Sequence, residues 1–409
     1  MLKDDCLYIV KEAIARVLPD EAVKRALGGR EFPDGRLILV SVGKAAWSMA
    51  SAAHSVLGTR IDRGIVITKH GYSKGAIGDL SVREAGHPVP DADTFSATRE
   101  ALELTRGLAP EDTVLFLLSG GGSALFEAPV IPEDELRDIT EQLLACGADI
   151  VEMNTVRKRL SGVKGGRFAR HCAPARVFTV VLSDIIGDPL DMIASGPAYP
   201  DASTCADAVR IAEKYALHLS DAAWTALKTE TPKTLSNTET HITGSVRELC
   251  AAAAGACREL GYEPQVLTDC LDCEAREAGR FLASIARSHQ NTGRSLAFIA
   301  GGETVVHITG HGRGGRNQEL ALAAADGIAG LEDTAVFSVG SDGTDGPTDA
   351  AGGYADGGSL AALRVLGFDT YDVLRRNDSY AALKAVDSLI FTGATGTNVN
   401  DVAVILIKR

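Results

Sequence analysis

The chain has 409 residues, 45% of them hydrophobic, and a formal net charge of −13. That length fits two domains, each able to bury its own core, and that charge excludes nucleic acid or an anionic membrane as the main partner. No apolar run reaches the ~18 residues a spanning helix needs. Eight scattered cysteines, of which only Cys270 and Cys273 lie close together, read as reduced thiols of a cytoplasmic protein, not as a zinc site.

The N-terminal stretch MLKDDCLYIVKEAIARVLPDEAV reads as an amphipathic helix. It carries acids throughout, so it is neither a signal nor a transit peptide. After it, apolar strands alternate with small-residue turns and helices. Leu37–Val42 leads through Gly43-Lys44 into the helix AAWSMASAAHSVL. Gly64–Lys69 is a second strand, Thr113–Ser123 a third with its glycines at the end, and Val177–Asp184 a fourth. A long helical segment, PEDELRDITEQLLACGADIVEMNTVRKRL, separates the last two. These strands are continuously apolar, not alternating, so helices should cover both faces, as in a parallel α/β sheet. A polar stretch from Thr231 to Glu239 places a domain boundary there, giving residues 1–235 and 236–409. The second half repeats the rhythm with SLAFIAGG, TAVFSVGSD, LIFTGATGTN and AVILIK; Pro264–Thr268 is a short, ambiguous strand.

Ligands in open α/β sheets bind outside the carboxyl ends of the strands, and the unusual turns sit at such ends. Lys44 opens a helix directly after a strand, where it either projects into a cleft or is a solvated lysine. Ser119, Gly120, Gly121, Gly122 and Ser123 form a turn whose bare N–H groups suit an anion. Residues 154–167 are strongly basic in an acidic protein. Arg157, Lys158, Lys164 and Arg167 either hold an anionic substrate or line a solvated face. Asp184, after the fourth strand, suits a base, a metal ligand or a helix cap.

The segment Gly301–Gly353 is the most telling. A strand runs into a glycine-rich turn holding Arg313 and Arg316, then a helix, then a strand ending in SDGTDGPTD. Asp342, Asp345 and Asp349 are closely spaced acids suited to Mg²⁺. Glycines, guanidiniums and carboxylates together suggest phosphoryl transfer. The string G-x-G-x-x-G at Gly310–Gly315 offers a rival, an NAD(P)-dependent reductase. Against it, the two arginines crowd a turn that a dinucleotide approaches through bare backbone. More acids follow than one ribose needs.

The strings SVGKAAW, LLSGGGSALFE, NTVRKRLSGVKGGRFA, LSDIIGDPLDMIASGP, GGETVVHITGHGRGGRNQE, SDGTDGPTDAAGG, NDSYAAL and TGTNVND together resemble the glycerate 2-kinase family, whose C-terminal domain is called MOFRL. The likeness spans nearly the whole chain. It implies an α/β fold of two α/β/α three-layer domains with mostly parallel sheets, the N-terminal one Rossmann-like, and an active site in the cleft between them. It implies ATP-dependent phosphorylation of D-glycerate to 2-phosphoglycerate with Mg²⁺, by a monomer or homodimer acting on small molecules. Lys44 and Arg316 match the family's proposed catalytic lysine and arginine. Asp184 joins them as a catalytic candidate. Asn317 and Glu319, in the same string as Arg316, join the substrate and phosphate set. Some relatives carry the name hydroxypyruvate reductase, the same rival again.

Overall fold

The computed structural model describes residues 2–409. Two compact units form. The first comprises Ala22–Leu182 and Asp188–Thr243; the second comprises the N-terminal residues through Glu21, Ser183–Gly187 and Gly244–Arg409. No helix among the described residues is long and apolar enough to cross a membrane.

The first unit is built on six strands: β1 (Leu37–Val42), β2 (Arg63–Lys69), β3 (Ser81–Ala85), β4 (Thr113–Leu118), β5 (Arg176–Leu182) and β6 (Thr238–Gly244). Their order is β3-β2-β1-β4-β5-β6, and β3 through β5 run parallel. Every residue of β1 and β4 is buried, because both faces are covered. On one face Leu37, Leu39, Leu115 and Leu117 pack against Met49, Ala50 and Ala53 of helix Ala46–Leu57. On the other, Phe116 meets Phe126 and Phe168 at centroid distances of 5.9 and 4.9 Å. The strand order reverses between β1 and β4, which makes the carboxyl ends of that pair the topological switch point.

The long helical segment breaks into Glu133–Ala145 and Ile150–Leu160. Gly147 takes a left-handed φ of 74°, and Asp149 caps the second helix through a capping box, so the chain turns where glycine and aspartate favour it. Both helices share a satellite cluster with Ile211 and Leu227, built on Ile139 and Val156.

The second unit holds β7 (Glu263–Leu271), β8 (Leu296–Gly302), β9 (Thr334–Gly340), β10 (Gly352–Asp356), β11 (Leu389–Ile390) and β12 (Asp401–Ile407), in the order β11-β10-β9-β12-β8-β7. β12 lies antiparallel between β8 and β9, and β10 is antiparallel to both β9 and β11. With β7 parallel to β8, four of the six strands point one way. Alternate β12 residues serve opposite faces. Val402, Val404 and Leu406 join helices Leu2–Arg16 and Val246–Glu259, whereas Ala403, Ile405 and Ile407 join helices Ala275–Ser288 and Arg316–Gly327.

This division differs from a single cut at 235/236. β6 completes the first sheet and carries the boundary on to Thr243/Gly244. The first helix belongs with the second unit, because Ile9, Val10 and Ala13 pack among Leu249, Ala253, Phe337 and Val404. Strands β3 and β6 escape a search for apolar runs, and β7 shows only as the short Pro264–Thr268 stretch, because all three are half-exposed. The LIFTGATGTN stretch yields only the two residues of β11, since Gly393 and Gly396 turn the chain with φ of 71° and 82°.

Ile9 is fully buried in this cluster. Ile9→Ala should cost about 2–4 kcal/mol through lost burial and the cavity left behind, read as a lower urea midpoint. A loss below about 1 kcal/mol would show that the helix packs only loosely.

Candidate active site

At the switch point of the first sheet, two strand-end turns are joined to each other. Lys44 N donates to Gly120 O at 2.9 Å, and Ala45 N donates to Ser119 Oγ at 3.1 Å. Gly43 has a φ of 125°, and a Cβ there would lie 2.2 Å from Ser119 Oγ, so only glycine permits the approach. The N–H groups of Gly120 and Gly121 donate to no backbone carbonyl among the described residues. Gly121 (φ 87°) presents a bare face: an added Cβ would stand 3.3 Å from Lys44 Cε and 3.0 Å from His87 Cδ2. The ammonium of half-buried Lys44 has no carboxylate or other side-chain partner among the described residues. A cation with no carboxylate, beside free amides, is a ready anion site.

Polar residues back this turn. Ser123 Oγ lies 3.0 Å from Ser195 Oγ, which donates to Asn154 Oδ1 at 2.9 Å, and Arg157 Nη2 donates to Ser123 O at 3.3 Å. Ala194 and Ser195 are held in left-handed conformations, φ 50° and 60°. A Cβ on Gly122 would lie 2.7 Å from Ala194 Cβ, so this strained stretch presses against the nest. Burial lowers the pKa of Arg157, yet a guanidinium stays charged.

Two basic candidates are engaged by the protein's own groups. Lys164 is fully buried and ion-paired with Glu127, and it donates to Phe126 O at 3.2 Å. Desolvation lowers its pKa to about 8 against the pull of Glu127. Arg167 spends Nη1 on the carbonyls of Arg159 (3.2 Å) and Ser161 (2.5 Å). Lys164 is thus spent inside the protein, whereas Arg167 keeps Nη2 unspent. Charge density in the sequence was the signal for them, and it does not reveal which way a side chain turns.

In the second unit, functional candidates gather at the carboxyl ends of β8 and β9 and the start of β12. Arg316 donates through Nε and Nη2 to Asp401 at 2.5 and 3.1 Å, and through Nη1 to Glu303 at 2.7 Å. Burial alone would lower its pKa, but these carboxylates outweigh burial and raise it. Three of its five N–H donors are spent, which leaves two for a ligand. Asp184, in the Ser183–Gly187 segment, offers its backbone O to Asn400 Nδ2 at 3.2 Å.

Asp345 is 2% exposed and accepts from the amides of Asn317 (3.1 Å) and Gln318 (2.8 Å) at the start of helix Arg316–Gly327. Both its oxygens are thus occupied by a helix N-terminus. Asp349 accepts from Tyr380 Oη at 2.7 Å, and Asp342 Oδ1 from Thr344 N at 2.9 Å. As a magnesium cage the trio does not fit. Among the described residues the group whose three ligand atoms all lie within 4.8 Å of one another is His70, Asp91 and Asp93. Asp342 and Asp349 each accept a hydrogen bond from another residue on Oδ1 only. Asn317 and Glu319 are buried as well. Asn317 Oδ1 accepts from Ser338 Oγ, and Glu319 Oε1 accepts from Asn377 Nδ2. Asn377 in turn accepts from the amides of Thr309 and Gly310, so Glu319 braces the glycine-rich turn.

That turn is filled by its own chain. A Cβ would lie 2.3 Å from Arg376 O at Gly310, 2.1 Å from Ser379 Oγ at Gly314, and 2.3 Å from Asp345 Cγ at Gly315. These glycines admit residues 345 and 376–379, not a pyrophosphate, so the dinucleotide reading of the string fails. Asn154 and Ser195, which lie in the NTVRKRLSGVKGGRFA and LSDIIGDPLDMIASGP strings, and His87, which has no sequence motif of its own, complete the first site.

Residues 5–228 match a family described as a domain of unknown function, DUF4147, and residues 296–401 match the MOFRL family. Over 412 residues the chain is 53% identical to a protein from Thermotoga maritima named D-glycerate 2-kinase, covering 99% of this chain and 98% of that one. A crystal structure of glycerate kinase from Thermotoga maritima is similar with a TM-score of 0.95, at 53% identity and 99% coverage of both chains. A putative hydroxypyruvate reductase from Agrobacterium vitis is 39% identical, over 98% of this chain and 93% of its own length.

Lys164→Met should destabilise the fold by about 3–5 kcal/mol, because it strands the buried Glu127 carboxylate, and Glu127→Leu in the same chain should recover much of that loss. Equal melting of the single and double variants would refute the pairing.

Burial pushes Asp345 up to about 6 from the ordinary 3.8, against the pull of the helix amides. A raised carboxyl binds its proton more tightly when folded, so stability falls as pH rises from about 4 through about 6. Chemical denaturation of Asp345→Asn across that window should give a flatter slope than the parent chain, and an unchanged slope would assign the effect elsewhere.

Proposed function

We propose ATP-dependent phosphorylation of D-glycerate to 2-phospho-D-glycerate as the reaction of this chain, which belongs to the glycerate 2-kinase family with a C-terminal MOFRL domain. The observation that carries the reading is 53% identity to a D-glycerate 2-kinase over 99% of the chain. The geometry agrees with it. A loose phosphoryl transition state asks the protein for position and charge rather than covalent chemistry. The uncompensated Lys44 ammonium supplies charge for the γ-phosphoryl oxygens as the bond to the leaving ADP lengthens. Free amides of the Gly120–Gly121 turn bind phosphate oxygens without reorganising. Arg157, held by Ser123 O, keeps donors for the glycerate carboxylate.

Arg316 keeps two N–H donors for an anionic group, and Asp401 with Glu303 fixes the plane in which they point. Asn317, Glu319 and Asp345 set the turn and helix that carry Arg316. Mg²⁺ is the expected companion of the nucleotide phosphates. A cation that keeps most of its waters needs only one or two carboxylates, and Asp342 and Asp349 each have an open oxygen for that. All eight cysteines are free thiols, which fits a reducing, cytoplasmic setting. The reductase alternative lacks its pyrophosphate turn, since residues 345 and 376–379 occupy the approach that the glycines open.

A coupled assay tests the reading. With ATP, D-glycerate and enolase present, phosphoenolpyruvate should form without added phosphoglycerate mutase. Product that appears only with mutase would move the transfer to the terminal hydroxyl, and NADH oxidation with hydroxypyruvate would restore the reductase. Lys44→Ala should lower kcat by about 10²–10³ while the melting temperature stays near that of the parent chain, since a half-exposed unpaired lysine contributes little to folding. A variant that melts early yet turns over normally when folded would make Lys44 structural.

A further inference from the structure

His87 follows β3 in the stretch Glu84-Ala85-Gly86-His87-Pro88 and is half-buried. Its ring lies against the bare face of Gly121: a Cβ built there would be 3.0 Å from Cδ2 and 3.2 Å from Nε2. The same Cβ position is 3.3 Å from Lys44 Cε, so His87 and Lys44 flank one glycine of the phosphate nest. Neither ring nitrogen of His87 has a hydrogen-bond partner among the described residues. A half-buried imidazole with both nitrogens unspent, beside an anion site, is placed to exchange a proton there.

We propose that His87 is the general base of the reaction, taking the proton of the attacking C2 hydroxyl. The assignment rests on the glycerate kinase reading. The O–H bond breaks, its proton passes to His87 Nε2, and the oxygen lone pair forms the bond to the γ-phosphorus. The γ-phosphorus–oxygen bond to the β-phosphate breaks, and ADP leaves with that electron pair. The half-exposed imidazolium then returns its proton to water.

Surrounding charges keep the ring ready for this step. The groups that face it are Lys44, at the end of β1, and Lys69, at the end of β2; burial first and these cations second lower its pKa from the ordinary 6.5. The acids nearby are engaged elsewhere. Asp91 accepts from Gly86 N and Thr94 N and pairs with His70 at 2.8 Å, Asp93 lies 3.9 Å from the same His70, and Glu84 accepts from Ser73 N. No carboxylate competes for the imidazole, so it enters the cycle neutral. Lys44 thereby has two effects: its charge steadies the phosphoryl oxygens, and the same charge discourages premature protonation of the base beside it.

A positioned general base contributes typically about 10²–10⁴ in rate. With the full chain at saturating ATP, kcat/KM for glycerate should fall on the acid side of the profile with a pKa below 6.5. His87→Gln should lower kcat by about 10²–10³, remove that acid limb, and leave KM for glycerate within a few-fold. Lys44→Met should shift the His87 resonance, followed by proton NMR, to a higher titration midpoint, which needs no activity. His87→Gln that keeps the acid limb, or loses less than about tenfold in kcat, overturns the assignment. So does a His87 midpoint indifferent to Lys44→Met, which also decides the matter where the glutamine variant is poorly folded. A parent chain that makes no ADP from glycerate would refute the kinase reading instead, and the two failures are thus separable.

Discussion

The approach of β1 and β4 at their carboxyl ends governs the first unit. Strands on either side of the switch point lead their helices to opposite faces, so their ends would normally diverge and leave an open crevice. Here the two turns are tied by Lys44 N to Gly120 O and Ala45 N to Ser119 Oγ. Gly43 makes that tie possible by offering no Cβ toward Ser119. Once the turns are joined, the direction of every nearby group follows. The amides of Gly120 and Gly121 face away from the sheet's own bonding, Lys44 stands over them, and His87 closes the side. Preorganisation of this kind means that no loop need be ordered when a phosphate arrives.

The second unit fixes its arginine by a different device. Helix Arg316–Gly327 is buried nearly all round, between the sheet and the cluster of Leu322, Leu363 and Leu383. Its first amides are satisfied by the buried Asp345, and its first residue, Arg316, is gripped by Asp401 from the central strand. A charged side chain at a buried helix start is awkward without such partners. The carboxylates answer that need and hold the guanidinium in one orientation.

Strand-turn-helix order in the first unit was legible because β1, β2, β4 and β5 are unbroken apolar runs ending in glycine or polar turns. Lys44 and the Ser119–Ser123 turn could be read for the same reason: their chemistry lies next to the strand that places them. Lys164, Arg167, Asp345 and Asp349 show where such reading stops. Each has the residue type of a ligand contact, yet the protein itself engages it: Glu127 pairs with Lys164, nearby carbonyls accept from Arg167, helix-start amides hold Asp345, and Tyr380 bonds Asp349. His87 was invisible for the opposite reason. A lone histidine in a short connection has no pattern around it, and its meaning comes only from Gly121 and Lys44, which the parallel sheet brings alongside. The edge strands β3 and β6 were lost, and β7 was read only as the short, ambiguous Pro264–Thr268, because half-exposed strands do not concentrate apolar residues.

Helix Leu2–Arg16 shares its core with β12, from which nearly the whole chain separates it. On the ribosome the helix is made before every strand it will cover. At 5–20 residues per second, roughly 20–80 s pass before β12 follows. During that interval Ile9, Val10 and Ala13 have no sheet to rest on, and β8 and β9 have no strand to join them. The first unit, whose strands lie within residues 37–244, can fold in the meantime. The early helix is therefore a waiting apolar surface, interrupted by Lys3, Asp4, Lys11 and Glu12.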